Sequence, residues 1–114
     1  MVRRYGEVPV EIDWAEGADP PAELEPLAQS VLAEAFRNVH KHAEPRKVEV
    51  GVGVADDTFS LQVVNDGVRE SSLGTGMGLR LAQFEALQQG GVLEFGPAGR
   101  RRWRLRLVVP VEGA

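Results

Sequence analysis

Two periods run through the chain. From Glu7 to Asp13 apolar and polar positions alternate, with Val8, Val10 and Ile12 on one side, as in a half-buried strand. Gly17-Ala18-Asp19-Pro20-Pro21 interrupts the pattern, and Asp19 is a suitable N-cap for a helix beyond it. Leu24, Leu27, Ala28, Val31, Leu32, Ala35, Phe36 and Val39 then recur at helical spacing, and Pro45 ends that helix. Alternation returns from Lys47 to Val54, with Val48, Val50, Val52 and Val54 on one face. After an Ala55-Asp56-Asp57 hairpin turn it continues from Thr58 to Asn65, with Phe59, Leu61 and Val63 inward. Residues 68–78 read as a loop. Leu79 to Gln89 reads as a second helix offering Leu79, Phe84 and Leu87 to the core, and Gly90-Gly91 closes it. Val92 to Phe95 is a short strand, and Gly96 to Gly99 a turn. In the last strand Trp103, Leu105, Leu107 and Val109 alternate with Arg102, Arg104 and Arg106.

The order β-α-β-β-α-β-β, with one apolar face per strand, predicts an α+β fold. It is a two-layer sandwich in which helices cover one face of a mainly antiparallel, mixed sheet. Residues 1–114 are read as a single domain, with no repeat or linker. The Arg102/Arg104/Arg106 series falls on the open face of the sheet, as a solvated surface or as a docking surface for another domain or an acidic partner.

Composition narrows the function. There is no cysteine, which excludes disulfides and thiolate metal sites and fits a reducing, cytoplasmic setting. The net charge of −4 argues against bulk nucleic-acid binding. No apolar run is long enough to span a membrane, and no apolar h-region follows the first residues, so neither direct membrane contact nor a signal peptide is expected.

Three stretches carry candidate chemistry. On the first helix Glu34, Asn38 and Lys41 fall within roughly 60° of one another at the edge of the apolar face. Carboxylate and carboxamide oxygens one turn apart suit Mg²⁺ or its waters, and a lysine one turn further suits a phosphate. On its own the line also reads as a polar ladder on a helix shoulder. His40 and His42 flank Lys41 at a spacing that points them apart, which does not suit zinc; His42 lies on the apolar side, near the site. In Val64-Asn65-Asp66-Gly67 the strand phase turns Asn65 inward and Asp66 away. The Asn65 carbonyl could accept from the exocyclic amine of a base, or the segment could be a plain turn. In Gly74-Thr75-Gly76-Met77-Gly78-Leu79-Arg80 alternating glycines precede a helix, which suits a polyphosphate. The spacing fits neither a P-loop nor a dinucleotide fingerprint.

In this order and spacing, the three stretches resemble the N, G1 and G2 boxes of the ATP-binding catalytic domain of bacterial sensor histidine kinases, in the GHKL ATPase superfamily. The resemblance covers essentially the whole chain. The Lys41-His42-Ala43 ending and the short gap from Gly67 to Gly74 look most like the short-lid subfamily that pairs with NarL/LuxR-type response regulators. The resemblance implies a Bergerat-type sandwich that binds ATP or ADP with Mg²⁺. It implies Asn38 as the metal ligand, Glu34 as the residue orienting or activating the attacking group, and Lys41 on phosphate. Asn65 would read the adenine amine. Gly67, Gly74, Gly76 and Gly78 would admit the phosphates and the lid, with His42, Thr75, Met77 and Leu79 also lining the nucleotide site.

This sequence departs from the pattern twice. The family usually has Asp where Asn65 stands and Asn where Asp66 stands, and Trp103 replaces a small hydroxyl residue at the start of the last inward row. The implied role is delivery of the γ-phosphoryl group to a histidine on a separate dimerisation and phosphoacceptor domain, for relay to a response regulator. With only His40 and His42, both beside the nucleotide, the chain is expected to bind nucleotide without phosphorylating itself, as a fragment of a longer kinase. Two other readings are a freestanding serine kinase of the anti-sigma-factor type and a degenerate ATPase-like interaction module.

Overall fold

Strands that alternate with a period of two need a partner layer over their apolar side, and the helical stripes supply it. A computed structural model describes residues 2–5, 8–14, 22–43, 46–68 and 77–111. Its strands are β1 (Val2–Tyr5), β2 (Val8–Trp14), β3 (Val48–Ala55), β4 (Thr58–Asn65), β5 (Val92–Pro97) and β6 (Trp103–Pro110). The helices are α1 (Glu25–His42), led in by a 3₁₀ turn at Ala22–Leu24, and α2 (Met77–Gln88). The strands form one sheet of order β1-β2-β3-β4-β6-β5. Among the described strands only β2 and β3 pair in parallel, and α1 provides the crossover that a parallel pair requires. All other pairs are antiparallel. The expected α+β two-layer sandwich with a mixed sheet is therefore the observed one.

The inward row of each strand is the predicted one. Val48, Val50 and Val52 of β3, Phe59, Leu61 and Val63 of β4, and Trp103, Leu105, Leu107 and Val109 of β6 are buried. Beneath them lie Leu27, Ala28, Val31, Ala35 and Val39 of α1. The β3–β4 turn has two residues, Asp56 and Asp57, both in the left-handed region at φ 52° and 57°, which matches the twist of the strands it joins.

Three expectations change. β1 has no counterpart in the sequence reading, because Val2-Arg3-Arg4-Tyr5 shows no alternation and is held by backbone pairing with β2 at the sheet edge. The proposed N-cap Asp19 lies outside the described residues. The described α1 starts behind Leu24 with Pro26 in its first turn and no side-chain cap. In α2 the inward face is Leu79, Ala82 and Ala86, not Leu79, Phe84 and Leu87. Phe84 sits about 140° around the helix from Leu79, whereas Ala82 and Ala86 share its side. Leu81, Phe84 and Leu87 are left 60%, 57% and 63% exposed, a stripe of large apolar side chains on the outer side of α2.

Gln83 fixes the phase by donating from Nε2 to the carbonyl of Leu93 on β5 at 3.0 Å. The helix ends as expected at Gly90, φ 81°, where the Gly91 N–H closes on the Ala86 carbonyl at 2.8 Å. No described helix is long and apolar enough to cross a membrane.

Candidate functional site

The residues singled out in the sequence collect at two places on the inner layer. The first is the seam between α1 and α2. Val31, Ala35 and Val39 form the buried stripe of α1, and Glu34 and Asn38 lie half-buried on its border while Lys41 is exposed. The helical phase alone dictates this order. The Glu34 side chain is 25% exposed and forms an ion pair with Arg37 one turn on.

Glu34 also lies against the first turn of α2. A Cβ built on Gly78 would collide with its carboxylate, so any larger residue there would have to displace the flexible end of Glu34. The carboxylate thus borders the positive end of a helix. This brings Glu34, the first residue of the predicted N box, to Gly78 near the end of the predicted G2 box. Met77 opens α2, and Leu79 is buried in the core one residue past Gly78. Gly74, Thr75 and Gly76 lie outside the described residues. His42 is the last residue of α1, and its side chain is likewise outside them.

The second place is the end of β4. Asn65 continues the inward row of Phe59, Leu61 and Val63 and is 2% exposed. It sits across from Val48 on β3 and Trp103 on β6. The Trp103 ring is buried beside Phe95, with centroids 6.4 Å apart and planes tilted by 42°. The Asn65 amide donates from Nδ2 to the carbonyl of Asp66 at 2.9 Å. Its Oδ1 is buried with no hydrogen-bond partner among the described residues. Buried acceptors are nearly always paired, and an orphan costs about 1–3 kcal/mol. A ligand donor is the simplest group to complete it.

Asp66 points away, as the strand phase requires. Its Oδ1 accepts from the backbone N–H of Arg46 at 2.8 Å and of Lys47 at 3.3 Å. Gly67 follows in the left-handed region at φ 70°. Val68 then bridges to Ala43 at the end of α1 and donates its N–H to the Arg101 carbonyl at 3.1 Å. The end of α1, the entry to β3, the end of β4 and the β5–β6 turn are therefore tied together around Asn65. The sequence reading missed three contributors: Arg37 on Glu34, Asp66 as the anchor of β3, and Arg101, whose Nε donates to Val68 at 3.4 Å. Arg37 was legible from its i,i+3 spacing; Arg101 was not, because its partner is 33 residues away.

On the open face, Glu11 and Glu49 sit side by side on β2 and β3, and Lys47 bridges them at 2.7 and 4.0 Å. The hydrogen bond and charge of Lys47 lower the Glu11 carboxyl below its ordinary range, and Glu11 raises Lys47 in return. Arg102, Arg104 and Arg106 are exposed there, as expected.

A nucleotide fits these residues on two observations. The Asn65 acceptor, unpartnered among the described residues, has room for a donor, and Gly78 adds no side chain of its own where the Glu34 carboxylate meets the α2 N-terminus. For a magnesium ion, Asn38 offers one amide oxygen, in keeping with a hard cation that takes most of its ligands from phosphates and water.

No family model and no curated protein sequence matches the chain. Solved structures do. The chain superposes on Acinetobacter baumannii histidine kinase AdeS with a TM-score of 0.70 at 16% identity, over 91% of this chain and 54% of that one. For the Erythrobacter litoralis EL346 blue-light activated histidine kinase the TM-score is 0.73 at 19% identity, over 94% of this chain and 36% of that one. For full-length ShkA in complex with AMPPNP the TM-score is 0.68 at 20% identity, over 92% and 26%. At these identities the likeness is one of fold, and the chain spans about half or less of each of these proteins.

Proposed function

We propose that residues 1–114 are the ATP-binding catalytic domain of a sensor histidine kinase and a piece of a longer chain. The domain would bind Mg-ATP and present its γ-phosphoryl group to a histidine on a separate dimerisation domain, for relay to a response regulator. The observation that carries this reading is the buried Oδ1 of Asn65, unpartnered among the described residues, at one end of a fold shared with histidine kinases. The Glu34–Asn38 line against the α2 N-terminus supports it from the other end.

Phosphoryl transfer of this kind asks for positioning and charge stabilisation rather than covalent chemistry from the domain. When bound, the magnesium nucleotide supplies the phosphoryl group and neutralises much of its charge. Asn38 would hold and orient the metal side of the triphosphate. Lys41 would meet a phosphate oxygen, and Gly78 would let the phosphates approach the α2 backbone. Glu34 would orient or activate the incoming imidazole. Asn65 would accept from the adenine amine. The short-lid, NarL/LuxR-paired subfamily is the assignment that the Lys41-His42-Ala43 ending supports.

The outer stripe of α2 supports the inferred partner. Leu81, Phe84 and Leu87 recur every three residues, a spacing suited to lying along another helix.

Calorimetric titration with Mg-ADP tests the reading. Binding that is lost on chelating magnesium or in Asn38→Ala, with the circular dichroism of the variant unchanged, is the expected result. Absence of heat at millimolar nucleotide would refute it and leave the interaction-module reading. Incubation of the isolated chain with radiolabelled ATP is expected to leave it unlabelled.

A further inference from the structure

We propose that the open face of the sheet docks a second copy of this chain, packed face to face about a two-fold axis that runs along β4. The inference is independent of the nucleotide reading, because it concerns the side of the sheet away from the helices.

The register lays that face out in rows. One row runs Glu11, Glu49, Val64, Arg104 and Gly96 across β2, β3, β4, β6 and β5. The next runs Asp13, Gly51, Gln62, Arg106 and Glu94. The carboxylates of β2 and β3 therefore lie on one side of β4, and the arginines of β6 on the other. Between them the surface is low and uncharged. Val64, Gln62 and Ser60 of β4 are half-buried, and a Cβ added at Gly51 would meet nothing within 4 Å. Such a surface lets a second sheet approach to about 10 Å with its strands nearly aligned.

Charge selects the arrangement. Neighbouring strands are about 4.8 Å apart, so β3 and β6 lie equally far from β4 on opposite sides. A two-fold axis along β4, midway between the sheets, sets Val64 over Val64 and Glu49 over Arg104 of the other copy, twice. An axis across the strands would set arginines over arginines. In the chosen arrangement Asp13 falls toward Glu94 of the other copy, and Arg106, beside Glu94 in the register, offsets that pair.

Both sides of the Glu49–Arg104 pair are available. Arg104 and Arg106 are exposed and make no ion pair with the described residues. Lys47 is drawn to Glu11 at 2.7 Å and stands 4.0 Å from Glu49, whose side chain is 52% exposed. An arginine fork on that carboxylate makes charge-assisted hydrogen bonds. From β2 to β5 the face is roughly 20 Å on a side, or about 400 Å² per copy. This is about half of a standard interface, so the association is weak and sensitive to salt.

Sedimentation equilibrium of the unaltered chain tests this. A monomer–dimer equilibrium is expected at up to millimolar chain in low salt, weakened about tenfold or more in high salt. A chain that stays monomeric under the first condition would overturn the proposal. Arg104→Glu and Glu49→Arg, both at exposed positions, should each weaken self-association at least about tenfold with circular dichroism unchanged. An equimolar mixture of the two variants should associate again as a heterodimer, because the two exchanged side chains then face each other. Exchanges without effect, or a mixture that stays monomeric, would place any contact between copies elsewhere and overturn the arrangement.

Discussion

Replacing Asn65 with leucine should stabilise the domain while removing its affinity for nucleotide. The side chain is 2% exposed, and its Oδ1 has no partner among the described residues. Deleting that oxygen relieves an unsatisfied-acceptor penalty of about 2 kcal/mol. Two buried methyl groups add about 1.6 kcal/mol of apolar transfer. Against this, the 2.9 Å bond to Asp66 is lost, at about 1 kcal/mol. The methyls also crowd the neighbours slightly, at about 1 kcal/mol for a near-isosteric change.

The balance is a gain of about 1–2 kcal/mol, or a rise in Tm of about 4 °C or more. Urea denaturation gives the free energy, scanning fluorimetry the midpoint, and Mg-ADP titration the function. A loss of 1 kcal/mol or more would refute the reasoning, because it would mean that Oδ1 is paired in solution.

Asn65→Asp separates charge from shape. It puts a carboxylate oxygen against the Asp66 carbonyl in a buried site, so its folded pKa should lie above the unfolded one. The variant should then match the parent most closely in acid and fall behind it as pH rises between those two values. A variant that tracks the parent at every pH would contradict the geometry of the amide.

Three further outcomes are expected. Gly78→Ala should leave stability within about 0.5 kcal/mol, since alanine favours the helix and Glu34 has a flexible end, yet lower Mg-ADP affinity at least tenfold; unchanged affinity would remove the Glu34–Gly78 seam from the site. Asp57→Gly should raise stability by about 0.5 kcal/mol by relieving a left-handed residue in the β3–β4 turn, and a fall in the urea midpoint would count against that turn geometry. Lys47→Met should return the Glu11 carboxyl to its ordinary pKa, read by NMR titration. Because Glu11 is lowered and Lys47 raised, the pair's contribution fades as pH falls through the lowered carboxyl value or rises through the raised lysine value; an unmoved Glu11 would refute the pairing.

The strands were legible because their inward residues are valines, leucines and aromatics at every second position, each wanting cover. The phase of β4 placed Asn65 inward and Asp66 outward, and both side chains lie there. The phase of α2 was misread because size outweighed position. Phe84 and Leu87 are the larger groups, but two alanines set the close contact. β1 left no pattern, since an edge strand of four residues is held by its backbone. The orphaned oxygen was beyond the sequence altogether. It depends on the Asp66 carbonyl and on the absence of a donor from β3 and β6, which are brought to Asn65 only by folding.

The register of the sheet also sets the order in which the molecule can assemble. The β3–β4 hairpin closes through two residues and can form early. The Asn65–Trp103 and Val10–Val48 pairings each join positions far apart in the chain, and each must first overcome a large loop-closure entropy. Both long-range closures meet at the Asn65 end of the sheet, where Val48 and Trp103 flank it. The pocket therefore needs β6 as well as the β3–β4 hairpin before its walls are complete.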